Sequence, residues 1–221
     1  MTTDSPALSA AAIERAAGEF QLILNDTQVH CIQQYTGMLL RWNDKMNLTA
    51  IRAPLEILYR HFCESMFGST LLPVENCRLA DVGSGGGFPG LPLKILRPDL
   101  DLVLIESNVK KATFLVEVIR ELGLTGARVL VSRFEELGEE VAPLDFVCSR
   151  ALGAFSPFLE WARSPHVAAR HALLWLGARD LEEVRALPGW AWEPPTRMPH
   201  SLQRVLLRGT VAEEKDLQAS A

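Results

Sequence analysis

Cysteine is sparse in this 221-residue chain and never paired at short spacing. Cys31, Cys63, Cys77 and Cys148 form no CxxC motif and no histidine cluster accompanies them, so a zinc module or other metal site is not expected. Buried thiols in a reducing compartment are the simpler reading. Positive charge is also short: 22 lysines and arginines face 27 aspartates and glutamates, a formal net charge of −5. That counts mildly against a nucleic-acid binder without excluding one, because a local basic face is enough to grip phosphates. The opening MTTDSPALSA has neither the basic nor the apolar region of a signal segment. No uninterrupted apolar run approaches the ~18 residues of a membrane span, so a soluble, cytoplasmic protein without a membrane partner is expected. Internal repeats and low-complexity tracts are absent as well. What remains is an ordinary globular balance, 48% hydrophobic and 22% charged, long enough to bury a sizeable core unaided.

Residues 1–70 read as a helical segment packed on the core of the larger domain. From Leu8 to Leu24, Ile13, Phe20 and Ile23 stand among alanines and charges; Asn25-Asp26-Thr27 supplies a cap, and Val29, Ile32, Leu39 and Trp42 then recur at near-helical spacing. Ala53-Pro54-Leu55-Glu56 starts another helix, with proline where its missing N–H costs nothing, and Leu58, Phe62 and Met66 share a face up to Gly68. From Cys77 the period changes. Short apolar strands at 78–82, 102–105, 128–131, 144–148, 172–176 and 204–207 alternate with helices at 91–96, 110–122, 158–170 and 180–187. This alternation predicts an α/β fold over 71–211, a mostly parallel sheet with helices on both faces and ligands at the strands' C-terminal edge. The polar tail, 212–221, is expected to fray.

The sharpest motif runs from Asp81 through Gly83, Gly85, Gly86, Gly87, Phe88 and Pro89 to Gly90, between the first strand and the helix behind it. Glycines there permit positive φ and the close approach of a ligand. Gly85, Gly87 and Gly90 match GxGxxG, which by itself suggests a dinucleotide. Two features oppose a pyrophosphate: Asp81 repels it, and Pro89 and Pro92 remove N–H donors from the helix start. S-adenosylmethionine offers Asp81 an ammonium and carries no phosphate, so it suits the loop better. Glu106 ends the second strand 19 residues after Gly87, placed to accept hydrogen bonds from ribose hydroxyls. Beyond the third strand, Phe134 and Glu135 are placed for an apolar contact with adenine and a hydrogen bond from its amine.

Taken together, these residues resemble the bacterial small-subunit rRNA (guanine-N7)-methyltransferases, historically called glucose-inhibited division protein B. The likeness rests on DVGSGGGFPGLPL at 81–93, with Arg41-Trp42-Asn43, Asn47-Leu48-Thr49, Arg60-His61 and Glu64-Ser65 before it. Ile105-Glu106-Ser107, Lys110-Lys111, Phe114-Leu115, Ser132-Arg133, Glu135-Glu136 and Ser149-Arg150-Ala151 come after it in the family's order, so the resemblance covers residues 20 to 210. It implies a class I S-adenosylmethionine-dependent methyltransferase with a Rossmann-like sheet. The implied substrate is N7 of a guanine in 16S rRNA, either as free RNA or within the small ribosomal subunit; a monomer is expected. The family's cofactor contacts fall on Gly83, Phe88, Phe134, Glu135 and Arg150; Asp81, Gly85 and Glu106 are added from loop geometry and the general methyltransferase pattern. Two departures stand out: Leu176-Gly177 where the family carries Lys-Gly, and Ser201-Leu-Gln-Arg204 in place of an acidic-basic stretch.

Guanine N7 has a lone pair and no proton, so transfer to it needs alignment and no general base. Adenine amino-group methylases carry Asn/Asp-Pro-Pro-aromatic after the fourth strand, where this chain has Cys148-Ser149-Arg150-Ala151. Glu193-Pro194-Pro195-Thr196 lies too near the C-terminus and lacks the aromatic. Cys148 lacks the Pro-Cys context and acidic partner of a cytosine-C5 nucleophile. Arg150 is expected to anchor cofactor or target through its guanidinium. RNA contact is expected from Arg41, Lys45, Arg52, Arg60 and His61, from Lys110 and Lys111, and from Arg197, His200, Arg204 and Arg208. The alternatives are a diverged methyltransferase of a small molecule or protein, an NAD-dependent oxidoreductase, and a non-catalytic RNA-binding relative.

Overall fold

Short leucine- and valine-rich segments, apolar on both faces, build the centre of the protein, as a sheet covered on both sides requires. The structure, a computed structural model, describes residues 8–150 and 153–212; the tail beyond them and Ala151 lie outside. Strands β1 (Arg78–Val82), β2 (Asp101–Ile105), β3 (Ala127–Leu130), β4 (Phe146–Arg150) and β5 (His171–Gly177) pair in parallel in the order β3-β2-β1-β4-β5. β6 (Trp190–Trp192), β7 (Thr196–Arg197) and β8 (Arg204–Val211) complete the sheet: β8 lies antiparallel to β5 and carries β6 and β7 on its outer edge. Strand order reverses between β1 and β4, which opens a crevice at their C-terminal ends. Ser149 Oγ donates to Val82 O at 2.8 Å and ties the two strands at that point.

Alternation along the strands sorts the core into two layers. Leu79, Leu102, Leu104 and Leu173 pack under α1 (Ala10–Glu19), α2 (Asp26–Asn43), α5 (Gly90–Leu96) and α6 (Val109–Glu121). The same layer holds a continuous helix made of α3 (Pro54–Ile57), a π-helical stretch (Leu58–Cys63) and α4 (Glu64–Phe67). Ala80, Val82, Val103 and Leu174 face α7 (Phe155–Ala162) and α8 (Ala178–Arg185) instead. The predicted cap is present: Asn25 accepts from Gln28 N–H and the Gln28 side chain accepts from Asn25 N–H, both at 2.9 Å.

Two expectations change, and two short strands are additional. The helix expected at 158–170 is α7, which ends at Ala162; Pro165 has no N–H to continue it, and Ala168 turns the chain with φ 50°. The strand expected at 144–148 runs instead to Arg150, which places that arginine on the strand end itself. β6 and β7 are too short to show a period; within β6, Trp190 and Trp192 stack along the strand at 5.6 Å. Among the described residues, no helix is long and apolar enough to cross a membrane, and no group of three His, Cys, Asp or Glu could hold a metal ion.

Candidate active site

β1 delivers the chain to the crevice, and the glycine loop turns it back into α5. Gly83, Gly85 and Gly87 take φ of 72°, 54° and 87°, a region costly for any residue with a Cβ. Gly90 is required for a different reason: a Cβ there would stand 2.8 Å from Asp81 Oδ2 and from Leu104 Cδ2. Six of the loop's N–H groups are already engaged. Gly83 and Ser84 N–H donate to Ile105 O at 2.9 and 3.1 Å, and Gly87 and Phe88 N–H to Ser84 O at 2.7 and 3.2 Å. Gly85 N–H donates to Glu106 Oε2 at 2.8 Å and Gly90 N–H to Asp81 Oδ2 at 2.9 Å.

The sequence suggests Asp81 as a carboxylate for a ligand's ammonium, and its geometry is different. Strand alternation turns it under α5, where it is fully buried, with Oδ2 on Gly90 and Oδ1 without a partner. Burial pushes its pKa up to about 7, Glu106 adds to the rise, and the Gly90 N–H and Ser84 oppose it. It holds the loop onto the helix. Glu106 also braces the loop: Oε2 accepts from Gly85 and Oε1 accepts from Asn108 N–H at 2.8 Å. A carboxylate oxygen has two lone pairs, so each retains one for a ligand hydroxyl. Phe88 is stacked inside, 5.4 Å from the Tyr35 ring and 4.6 Å from His61. Tyr35 OH in turn donates to Gly86 O.

A cavity of about 320 Å³ opens over the ends of β1, β2 and β3, lined by Val82, Gly83, Ile105, Ser107, Phe134 and Glu135. Phe134 is fixed edge-on against Trp161 at 5.5 Å. Of the eight residues singled out in the sequence, Gly83, Phe134 and Glu135 line this cavity, Gly85 and Glu106 brace its rim, and Asp81 and Phe88 support the loop from beneath.

Arg150 lies across the crevice, in a cluster that the sequence does not announce. Buried Glu64 receives Arg204 Nε at 3.0 Å and Nη2 at 2.7 Å, Arg150 Nη2 at 3.4 Å, and has Arg60 Nε at 3.4 Å. Its backbone oxygen accepts from Trp175 Nε1 at 2.7 Å. Burial lowers the Arg150 pKa, and Glu64 opposes the shift. His61 is held neutral beside it: burial, then Arg150 and Arg60, bring its pKa down to about 3, and its Nε2 lies 2.6 Å from Thr49 Oγ1. The Cys148 thiol is pushed well up by burial, with Asp81 adding to the rise, which leaves it protonated. Of the basic residues expected to meet RNA, Arg60 and Arg204 converge here, whereas Arg41 lines a separate hollow and Arg52 pairs with Asp44 at 3.2 Å. In the sequence, Glu64 stands out only within the family resemblance; its own signal is a lone acid between Phe62-Cys63 and Met66-Phe67, where solvent exposure is implausible.

The family model of rRNA small subunit methyltransferase G matches residues 28–189. Ribosomal RNA small subunit methyltransferase G of Ectopseudomonas mendocina (strain ymp) is 37% identical over 174 residues, 79% of this chain and 81% of that protein. Its counterpart in Azoarcus sp. (strain BH72) is 43% identical over 158 residues, 69% and 72% of the two chains. A solved SAM dependent methyltransferase from Aquifex aeolicus, 13% identical, superposes with a TM-score of 0.58 over 80% of this chain and 98% of its own, a likeness of fold. The sheet is the Rossmann-like one of class I methyltransferases. The chain belongs to the rRNA small subunit methyltransferase G family.

Proposed function

We propose that this protein transfers the methyl group of S-adenosylmethionine to N7 of a guanine in 16S rRNA, acting as a cytoplasmic monomer on the small subunit or its RNA. One observation carries the choice of cofactor. A pyrophosphate at such a loop is held by free backbone N–H groups, and here six of them are already spent on Ile105, Ser84, Glu106 and Asp81. A nucleoside without phosphate fits a loop that has so few donors to give. That argues against the NAD-dependent alternative, and the relatives' names point to rRNA as the substrate.

In this reading, Ile105 and Phe134 face the adenine, Glu135 accepts from its amine, and Glu106 takes ribose hydroxyls on its remaining lone pairs. Gly83 lets the ligand approach the backbone, and Gly85, Asp81 and Phe88 hold the loop in shape for it. Arg150 anchors the cofactor or target at the crevice. Residues 71–211 carry the site and 1–70 brace it through Tyr35. Bound S-adenosylmethionine supplies an electrophilic methyl group on a positively charged sulfur. The chain's contribution is alignment: N7 presents a lone pair, so no side chain has a proton to remove. Neither neutral His61 nor protonated Cys148 is needed as a base or nucleophile.

The test is a map of N7-methylguanine in 16S rRNA from cells with and without the protein, repeated with purified protein on free rRNA and on small subunits. Loss of one N7-methyl mark in the depleted cells, restored by the purified protein, is expected. An unchanged map refutes the substrate. Methylation should also fall steeply between about 50 and 200 mM salt, as phosphate contacts require; a flat profile would favour a small-molecule acceptor.

A further inference from the structure

We propose that a second cleft on the same sheet edge, walled by Arg60, Arg179 and Arg204 and underpinned by buried Glu64, seats a backbone phosphate of the RNA strand that carries the target base. The inference rests on the methyltransferase reading and deepens it. Two adjoining cavities, of about 540 and 260 Å³, share Arg60, Gly177, Asp180 and Arg204. They lie over the ends of β4 and β5 and the start of β8, where Gly177 pairs with Arg204. The cofactor cavity lies over β1, β2 and β3. The strand-order reversal thus separates two openings on one edge, and a target must enter by the side the cofactor leaves free.

Charge says what enters. Arg60, Arg150, Arg179 and Arg204 face only Glu64 and Asp180, an excess of two positive charges in a partly buried cleft where screening is weak. Glu64 fans the guanidiniums by holding Arg204 through two nitrogens and Arg150 through one. Arg60 Nε and Arg150 Nη1 are left buried without a hydrogen-bond partner, and Arg179 makes no ion pair among the described residues. Arg179 sits exposed in the first turn of α8, whose N-cap is Gly177 and which has no side-chain cap. Forked donors converging on one cleft match a phosphodiester; the start of α8 adds little, since Ala178 N–H is taken by Gln203 O and Asp180 lies in the first turn. The apolar wall of the smaller cavity, Phe155 and Trp175, gives the attached nucleoside a surface to lie on.

The experiment compares the full chain with Arg179→Glu and Arg60→Gln, using a 16S rRNA transcript and S-adenosylhomocysteine as probes. Arg179→Glu leaves the Glu64 cluster intact, so its thermal midpoint should match that of the unaltered protein. Each variant is expected to weaken RNA binding, Arg179→Glu about tenfold near 100 mM salt, and to reduce the slope of log K against log salt by about one. Affinity for S-adenosylhomocysteine should stay within about twofold. Variants with the unaltered RNA affinity and slope overturn the proposal. So does a selective loss of S-adenosylhomocysteine binding, which would give the cleft to the cofactor's carboxylate. Failure of the methyltransferase reading would appear elsewhere, as an unaltered protein that does not bind S-adenosylhomocysteine.

Discussion

Asp81 and Glu64 are both buried carboxylates, kept in place by opposite means. Asp81 has no cation near it and accepts one backbone N–H, so burial raises its pKa from 3.8 to about 7. The native protein therefore holds a proton that the unfolded chain releases above about pH 4. This contribution to stability is whole below the unfolded pKa and is lost as pH rises toward and through 7. Asp81→Asn keeps an acceptor for Gly90 and cannot ionise. Its stability relative to the unaltered protein should improve from pH 4 to pH 8 in urea unfolding; a difference independent of pH would mean the carboxyl is not the titrating group. Glu64 instead is surrounded by guanidiniums. Glu64→Gln leaves Arg150 buried among like charges without its counter-ion, and a loss of about 3 kcal/mol is expected from the urea midpoint. A change below about 1 kcal/mol would show that Arg60 and Arg204 simply swing to solvent and that the cluster is not pre-formed.

Among the elements, the loop from Gly83 to Gly90 is where strand, helix and N-terminal segment meet. β2 holds it through Ile105 O, α5 through the Asp81–Gly90 bond, and α2 through Tyr35 and the ring stack on Phe88. Gly90→Ala drives a methyl group into the Asp81 carboxyl and Leu104, so it should cost about 1–3 kcal/mol and weaken S-adenosylhomocysteine binding. Gly18→Ala is the matched control: nothing lies within 4 Å, it is exposed within α1, and it should gain up to about 1 kcal/mol. Unchanged ligand binding in Gly90→Ala would mean the loop is not set by α5. The loop, β1 and Glu106 were legible in the sequence because each is a local pattern: an apolar run, glycines that need positive φ, an acid at a strand end. The inward side of Phe88 and the task of Asp81 were not, since both depend on which helices cover that face. Asn43 shows the same limit: its motif was visible, but its side chain caps the turn at Leu48 and Thr49, which brings Thr49 to His61. The Glu64 cluster joins residues 86 and 140 positions away, beyond any periodicity.

Across the whole molecule, the first layer of the core does not respect the boundary at residue 70. Ile13, Phe20, Tyr35 and Phe62 belong to one contiguous cluster with Leu79, Leu104 and Phe114. If the N-terminal helices were a separate unit, that layer of the sheet would be bare and its leucines exposed, at a cost of about 25 cal/mol for each Å² returned to water. The chain should therefore unfold as one unit, with tryptophan fluorescence and far-UV circular dichroism giving the same midpoint. A ligand bound at the glycine loop should move that single transition as a whole. S-adenosylhomocysteine at a hundred times its Kd is expected to add about 2.7 kcal/mol to the stability seen by both probes. Tyr35→Phe tests the coupling from the other end. It leaves Gly86 O buried without its donor, which costs about 1–3 kcal/mol, and the loss should appear both in the common midpoint and in weaker ligand binding. Two separated transitions, with the ligand moving only one, would show that the helices before residue 70 merely lie against the sheet and play no part in shaping the loop.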